Sequence, residues 1–157
     1  MMLILKGMKK TIKLILWIGI MGLIFYFSSQ PSNDSSIQTN FIIDAIYKIY
    51  LTLAKAGAMS YERFVEVFFT PVRKLAHFSE FAVLGILTYL NIIEYHKNNA
   101  ITISVIFVCL YAISDEIHQM FVPGRACMFM DVLIDCSGAI FGIFLVHLLM
   151  KRCLKKY

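Results

Sequence analysis

Two short stretches hold most of the residues able to do chemistry. The first reads Pro71-Val72-Arg73-Lys74-Leu75-Ala76-His77-Phe78-Ser79-Glu80. On a helix turning about 100° per residue, Arg73, His77, Glu80 and Leu84 share a stripe and Lys74 points away from it. A cation, an imidazole and a carboxylate therefore occupy one face. The second stretch runs from Ser114 through Asp115, Glu116 and His118 to Gln119, then turns at Val122-Pro123-Gly124-Arg125. Here Tyr111, Asp115, His118 and Gln119 lie on one broad face with Glu116 to its side. Pro123 fixes φ and Gly124 permits a left-handed residue, so the chain reverses at Arg125. Beyond the turn, Asp131, Asp135, Gly138 and Gly142 share a stripe, and the two glycines allow another helix backbone to come close.

These residue types support several chemistries. Arg73, Lys74 and Arg125 are charge-assisted donors suited to phosphate or carboxylate, and Gln119, Ser114 and Ser79 could orient the rest of such a ligand. His77 or His118 could act as general acid or base, oriented by Glu80, Asp115, Glu116 or Asp131. The same nitrogen and oxygen donors suit a divalent metal, although Asp115-Glu116-x-His118 lacks the two His one turn apart that mark a helical zinc site. Acids and histidines inside a span also serve proton or lipid transport. The plain structural alternative is a network of helix-registering pairs, for example Arg73 with Asp115 and Arg125 with Asp131.

What positions these residues is a set of apolar helices. The chain has 157 residues, of which 59% are hydrophobic and 16% charged. Soluble domains run nearer ~45–50% apolar and ~25% charged, so the bilayer is the better solvent. Apolar runs at 12–29, 74–95, 100–119 and 131–150 each approach the ~20 residues that cross the hydrocarbon core. No small-x-small cleavage pattern follows the first run, which reads as a retained anchor and not a signal peptide. The fold class is all-α: a polytopic membrane protein of four transmembrane helices, a single domain over residues 1–157.

Between the first and second spans lies an outer connection, residues 30–71. Ile42, Ala45, Ile46, Ile49 and Leu53 share a helical face there, with Asp44, Lys48 and Lys55 off it. Gly57-Ala58-Met59-Ser60 breaks the run before Tyr61–Phe69. One or two amphipathic helices across the outer mouth are expected, covering the bundle or forming a lid.

Orientation follows from the basic residues. Lys6, Lys9, Lys10, Lys13, Lys97, Lys151, Arg152, Lys155 and Lys156 fall on one side with only Glu94, leaving six basic and nine acidic residues on the other. The positive-inside rule makes the first side cytoplasmic, with both termini there. The net charge of +5 is thus mostly a topology signal. No basic face stands beside a soluble core, so a nucleic-acid partner is not expected. Cys109, Cys127, Cys136 and Cys153 show no CxxC spacing and read as unpaired. His96 and His147 read as interfacial or packing residues.

With these motifs in view, the chain resembles the VanZ-like family of bacterial membrane proteins, named for a teicoplanin resistance protein. The likeness rests on Arg73-Lys74-x-x-His77-x-x-Glu80 and on Ser114-Asp115-Glu116-x-His118-Gln119-x-Phe121-x-Pro123-Gly124-Arg125. Asp131, Gly138 and Ser28-Ser29-Gln30-Pro31 add to it. The resemblance implies a multi-pass protein of the bacterial plasma membrane and an envelope role. The expected ligand is an anionic lipid, lipid-linked or cell-wall component, with lowered teicoplanin susceptibility as one outcome. It implies no particular reaction, cofactor or oligomeric state.

Overall fold

The computed structural model describes residues 9–54 and 57–154, all of whose regular structure is helical. Five helices follow in order: α1 (Lys10–Ser28), α2 (Ser32–Ala54), α3 (Tyr61–Ile92), α4 (Ala100–Gln119) and α5 (Phe129–Leu154). All but α2 are long and apolar enough to cross a membrane. Lys6, Lys55, Lys155 and Lys156 lie outside the described residues.

The bundle centres on α3 and α5. Their contact is close because glycine faces backbone: a Cβ on Gly138 would collide with the Phe78 carbonyl, one on Gly142 with that of Ala82, and one on Gly85 with that of Ala139. Lipid tails give no hydrophobic drive for helix association, so small residues that let backbones approach are what bring two spans together. The expected role of Gly138 and Gly142 holds, and Gly85 completes it from the other helix. Phe81, Leu84, Val108, Ala112 and Ala139 form the core at this level, with Ile24 of α1 packed on them. α1 is also tied in by Trp17 Nε1 donating to Thr88 Oγ1 at 2.9 Å and Tyr111 Oη donating to the Met21 carbonyl at 2.7 Å.

At the far end Lys13 and Glu94 are paired, with Lys10 3.5 Å from the same carboxylate. The start of α1 and the α3–α4 turn therefore lie together, as four antiparallel spans require. Tyr89 and His147 meet at 2.7 Å near this end, so His147 is a packing residue as expected.

The outer connection departs from expectation at its second half. Tyr61–Phe69 is not a separate helix. It is the first part of α3, which runs for 32 residues through Pro71. At ~1.5 Å per residue that exceeds the ~30 Å hydrocarbon thickness, so about ten residues project beyond it. Pro71 removes one intrahelical bond, freeing the carbonyl of Val67, which sits on an exposed residue where solvent or head groups can reach it. The helix continues because it is held on both sides of the proline, by α2 before and α5 after.

The rest of the connection is α2, an amphipathic helix as the periodicity predicts. Its apolar stripe Ile42, Ala45, Ile46, Ile49 and Leu53 is exposed, and the packed side carries Thr39 and Ile43, with Tyr47 and Tyr50 half-buried. Tyr47 and Tyr50 stack around Phe64 at ring separations of 5.0 and 5.1 Å, and Phe64 stacks on Phe68. Both hydroxyls bond the Met59 backbone across the turn, where Gly57 takes φ 100°. Aromatic rings with polar tips suit that interfacial depth, leaving the aliphatic stripe for lipid.

Candidate functional site

The polar middle of α3 and the polar ends of α4 and α5 converge with the α4–α5 turn and the end of α1. Asp115, Glu116, Gln119, Asp131 and Asp135 are all buried. Glu116, expected at the side of its helix face, is 1% exposed and accepts the Met128 backbone N–H at 3.1 Å. It caps the start of α5, satisfying one of the donors a helix N-terminus leaves free.

Arg125 is the tie between elements. Its Nε donates to the Gln30 carbonyl at 2.9 Å, Nη2 to the Phe27 carbonyl at 3.0 Å and Nη1 to Gln119 Oε1 at 3.0 Å. Gln119 Nε2 in turn donates to Asp115 Oδ2 at 2.9 Å. The guanidinium thus fastens the end of α1 to the turn and reaches Asp115 through Gln119. Arg125 lies outside the spans, where burial and the nearby Arg73 lower its pKa while Asp115, Glu116 and Glu80 raise it. Gly124 holds the turn at φ 74°, and the Pro123 carbonyl accepts the Ser32 N–H at 3.3 Å, docking the first residue of α2.

The ion pairs differ from those expected. Arg73 stands 3.8 Å from Asp131, and Lys74, expected to point away, stands 3.9 Å from the same residue. Asp131 is the carboxylate that both long side chains can reach. His77 Nδ1 is 3.9 Å from Asp135 Oδ1. Asp135 is fully buried, and neither of its oxygens has a hydrogen-bond partner among the described residues. His118 turns to α1, bonding Ser29 Oγ at 3.0 Å and stacking on Phe25 at 4.5 Å. Ser79 and Ser114 donate to carbonyls of their own helices and stay exposed, so they do not join the cluster. Among the described residues, no group of three His, Cys, Asp or Glu is arranged to hold a metal ion.

In front of this cluster is a cavity of about 160 Å³ lined by Phe27, Arg73, Ala76, His77, Glu80 and Arg125, and by Ser35, Gln38, Thr39 and Ile42 of α2. The buried acids Asp115, Glu116, Asp131 and Asp135 stand behind its wall, and only Glu80 among the carboxylates lines it. The α2 contribution was missed in the sequence. Its signal is the spacing of Ser35, Gln38, Thr39 and Ile42 at i, i+3, i+4 and i+7, a largely polar stripe that a search for apolar periodicity passes over. Asp135 was legible as a stripe partner of Asp131 but carried no assigned role.

Four membrane-length helices with a polar cavity at one end of the bundle define a multi-pass membrane protein with an end-on polar site. The VanZ/LLP1 family model matches residues 13–150, and the chain belongs to that family, making it a bacterial membrane protein of the VanZ type. No curated protein and no solved structure matches it.

Proposed function

We propose that the cavity binds the anionic head group of a lipid-linked or cell-wall component at the outer face of the bacterial plasma membrane, with both termini cytoplasmic. The observation that carries this reading is the sign of the cavity wall. Two guanidinium groups and an imidazole face the space against one carboxylate, while the other acids are turned away from it. Backbone carbonyls and Gln119 fix Arg125, which keeps the second N–H of each terminal nitrogen, while Arg73, 3.8 Å from Asp131, keeps the planar fork that suits phosphate and carboxylate. Gln38, Ser35 and Thr39 offer neutral polar contacts to the rest of a head group. Polar groups gathered at one end favour binding over passage through the membrane. Sequestering or altering a wall precursor in this way would lower glycopeptide susceptibility, teicoplanin included.

The test is lipid binding by the purified full chain in nanodiscs that mix anionic and zwitterionic lipid. Retention of anionic lipid should fall tenfold or more in Arg73→Gln, since a charge-assisted hydrogen bond is worth roughly 1.5–3 kcal/mol. Arg73 makes no close structural bond, so the variant should fold; equal retention of the two lipid classes by the unaltered protein would sink the reading.

One observation favours acid–base chemistry on the bound ligand as a second reading. His77 lines the cavity with Asp135 3.9 Å behind its ring, so a small shift of either side chain would form the carboxylate–imidazole hydrogen bond that orients a general base. His77→Ala separates the two readings: retained binding with lost envelope phenotype supports chemistry, and retention of both removes it.

A further inference from the structure

The cavity is smaller than the ~300–1,000 Å³ that holds a drug-sized ligand, so it takes a compact head group and the remainder of a larger ligand must lie outside. One of its walls leads out of it. Ile42 lines the cavity and is also 43% exposed. Ile46, Ile49 and Leu53 follow at steps of four, three and four residues, which keeps them on the same helix face, and they are 38%, 60% and 74% exposed. The row therefore starts beside Arg73 and Arg125 and runs clear of the bundle. The neighbouring side of α2 carries the buried Ile43 and the half-buried Tyr47 and Tyr50, whose rings meet Phe64, so the row is not a packing surface among the described residues. Bulk lipid covers exposed apolar residues anywhere on a membrane protein. What distinguishes this row is its continuity with a cationic cavity.

We propose that the ligand is a long-chain amphiphile with one anionic head, its head against Arg73 and Arg125 and its hydrocarbon chain leaving past Ile42 to lie along Ile46, Ile49 and Leu53. The proposal rests on the anion-binding reading and narrows it: the chain commits the ligand to a lipid source and excludes a free anion. From Ile42 to Leu53 the helix rises about 16 Å, the reach of an extended alkyl chain of roughly a dozen carbons. α2 thereby serves both parts of the ligand, with Ser35, Gln38 and Thr39 toward the head and the isoleucine row toward the tail.

The probe is dodecyl phosphate carrying a diazirine at the far end of its chain, added to the full protein in phosphatidylcholine nanodiscs. After illumination, the label should concentrate on residues 46–53 and fall about tenfold there in Arg73→Gln, a loss of one charge-assisted contact. Labelling of lipid-exposed span residues such as Leu110 and Phe141 should not change. The double variant Ile46→Ser, Ile49→Ser should lose labelling of the row and also weaken retention of the anionic amphiphile; undiminished labelling of the row in it overturns the proposal. Label spread evenly over the exposed spans, or indifferent to Arg73→Gln, overturns the proposal. If the anionic-lipid preference stands while the label avoids α2, the route along the helix fails alone; if that preference is absent, the anion-binding reading fails with it.

Discussion

At the scale of single residues, the cavity wall separates side chains that share a motif. His77 and His118 both belong to the family-like pattern, yet His77 faces the cavity and His118 packs on Phe25 with a bond to Ser29. His118→Ala should cost about 1 kcal/mol of stability, the worth of one hydrogen bond and a ring contact, and leave anionic-lipid retention within about twofold. Thermal melts and the nanodisc assay read the two effects apart. Asp135 makes the opposite case. A fully buried carboxyl with no hydrogen-bond partner among the described residues is a burden on the fold. Asp135→Asn should therefore keep or raise the melting temperature while, on the proposed acid–base reading, weakening any activity that depends on His77. A clear drop in melting temperature would make Asp135 a structural residue instead.

Glycine controls the fit between elements. Gly138 and Gly142 bring α5 against the backbone of α3, which sets the distance between His77 and Asp135 as well as the helix crossing. Substituting Leu at either position forces backbone from backbone, because the colliding atom is a carbonyl and not the end of a flexible side chain. A loss of about 1–3 kcal/mol or more is expected in detergent melts, with anionic-lipid retention falling in parallel. Gly124→Ala should cost about 1–2 kcal/mol for the left-handed backbone alone. Its added carbon would also press on Ser32 at 3.2 Å, loosening the docking of α2 over the cavity. The α2 helix itself shows how context overrides pattern. Its periodicity marks an aliphatic stripe, yet the packed side is set by Tyr47 and Tyr50 meeting Phe64, which leaves the stripe exposed.

For the whole molecule, the open quantity is which end faces out. Lys13 and Glu94 join α1 to the α3–α4 turn at one end, opposite the polar cavity. With the native cysteines replaced, a cysteine introduced at the exposed Asn33 should react with an impermeant maleimide from outside the cell. One introduced at Lys97 should react only after the membrane is opened. The reverse pattern would invert the orientation and move the cavity to the cytoplasmic face.

Much of this was legible without coordinates. Four apolar runs of span length, a Pro-Gly turn at Arg125 and a glycine pair at helical spacing are local features, and local features survive folding because each depends on composition or backbone sterics alone. The gathering of Arg73, His77, Asp115 and Asp131 at one end also followed from the order of spans. What only the tertiary structure decided was pairing. Periodicity gives the direction of a side chain on its own helix and says nothing of the rotation of that helix against its neighbours, so Arg73 with Asp131, Arg125 with backbone carbonyls, and Glu116 as a cap were beyond it. The same limit hid the role of α2: whether Ser35, Gln38 and Thr39 face solvent or a cationic cavity depends on where a second, distant part of the chain comes to rest.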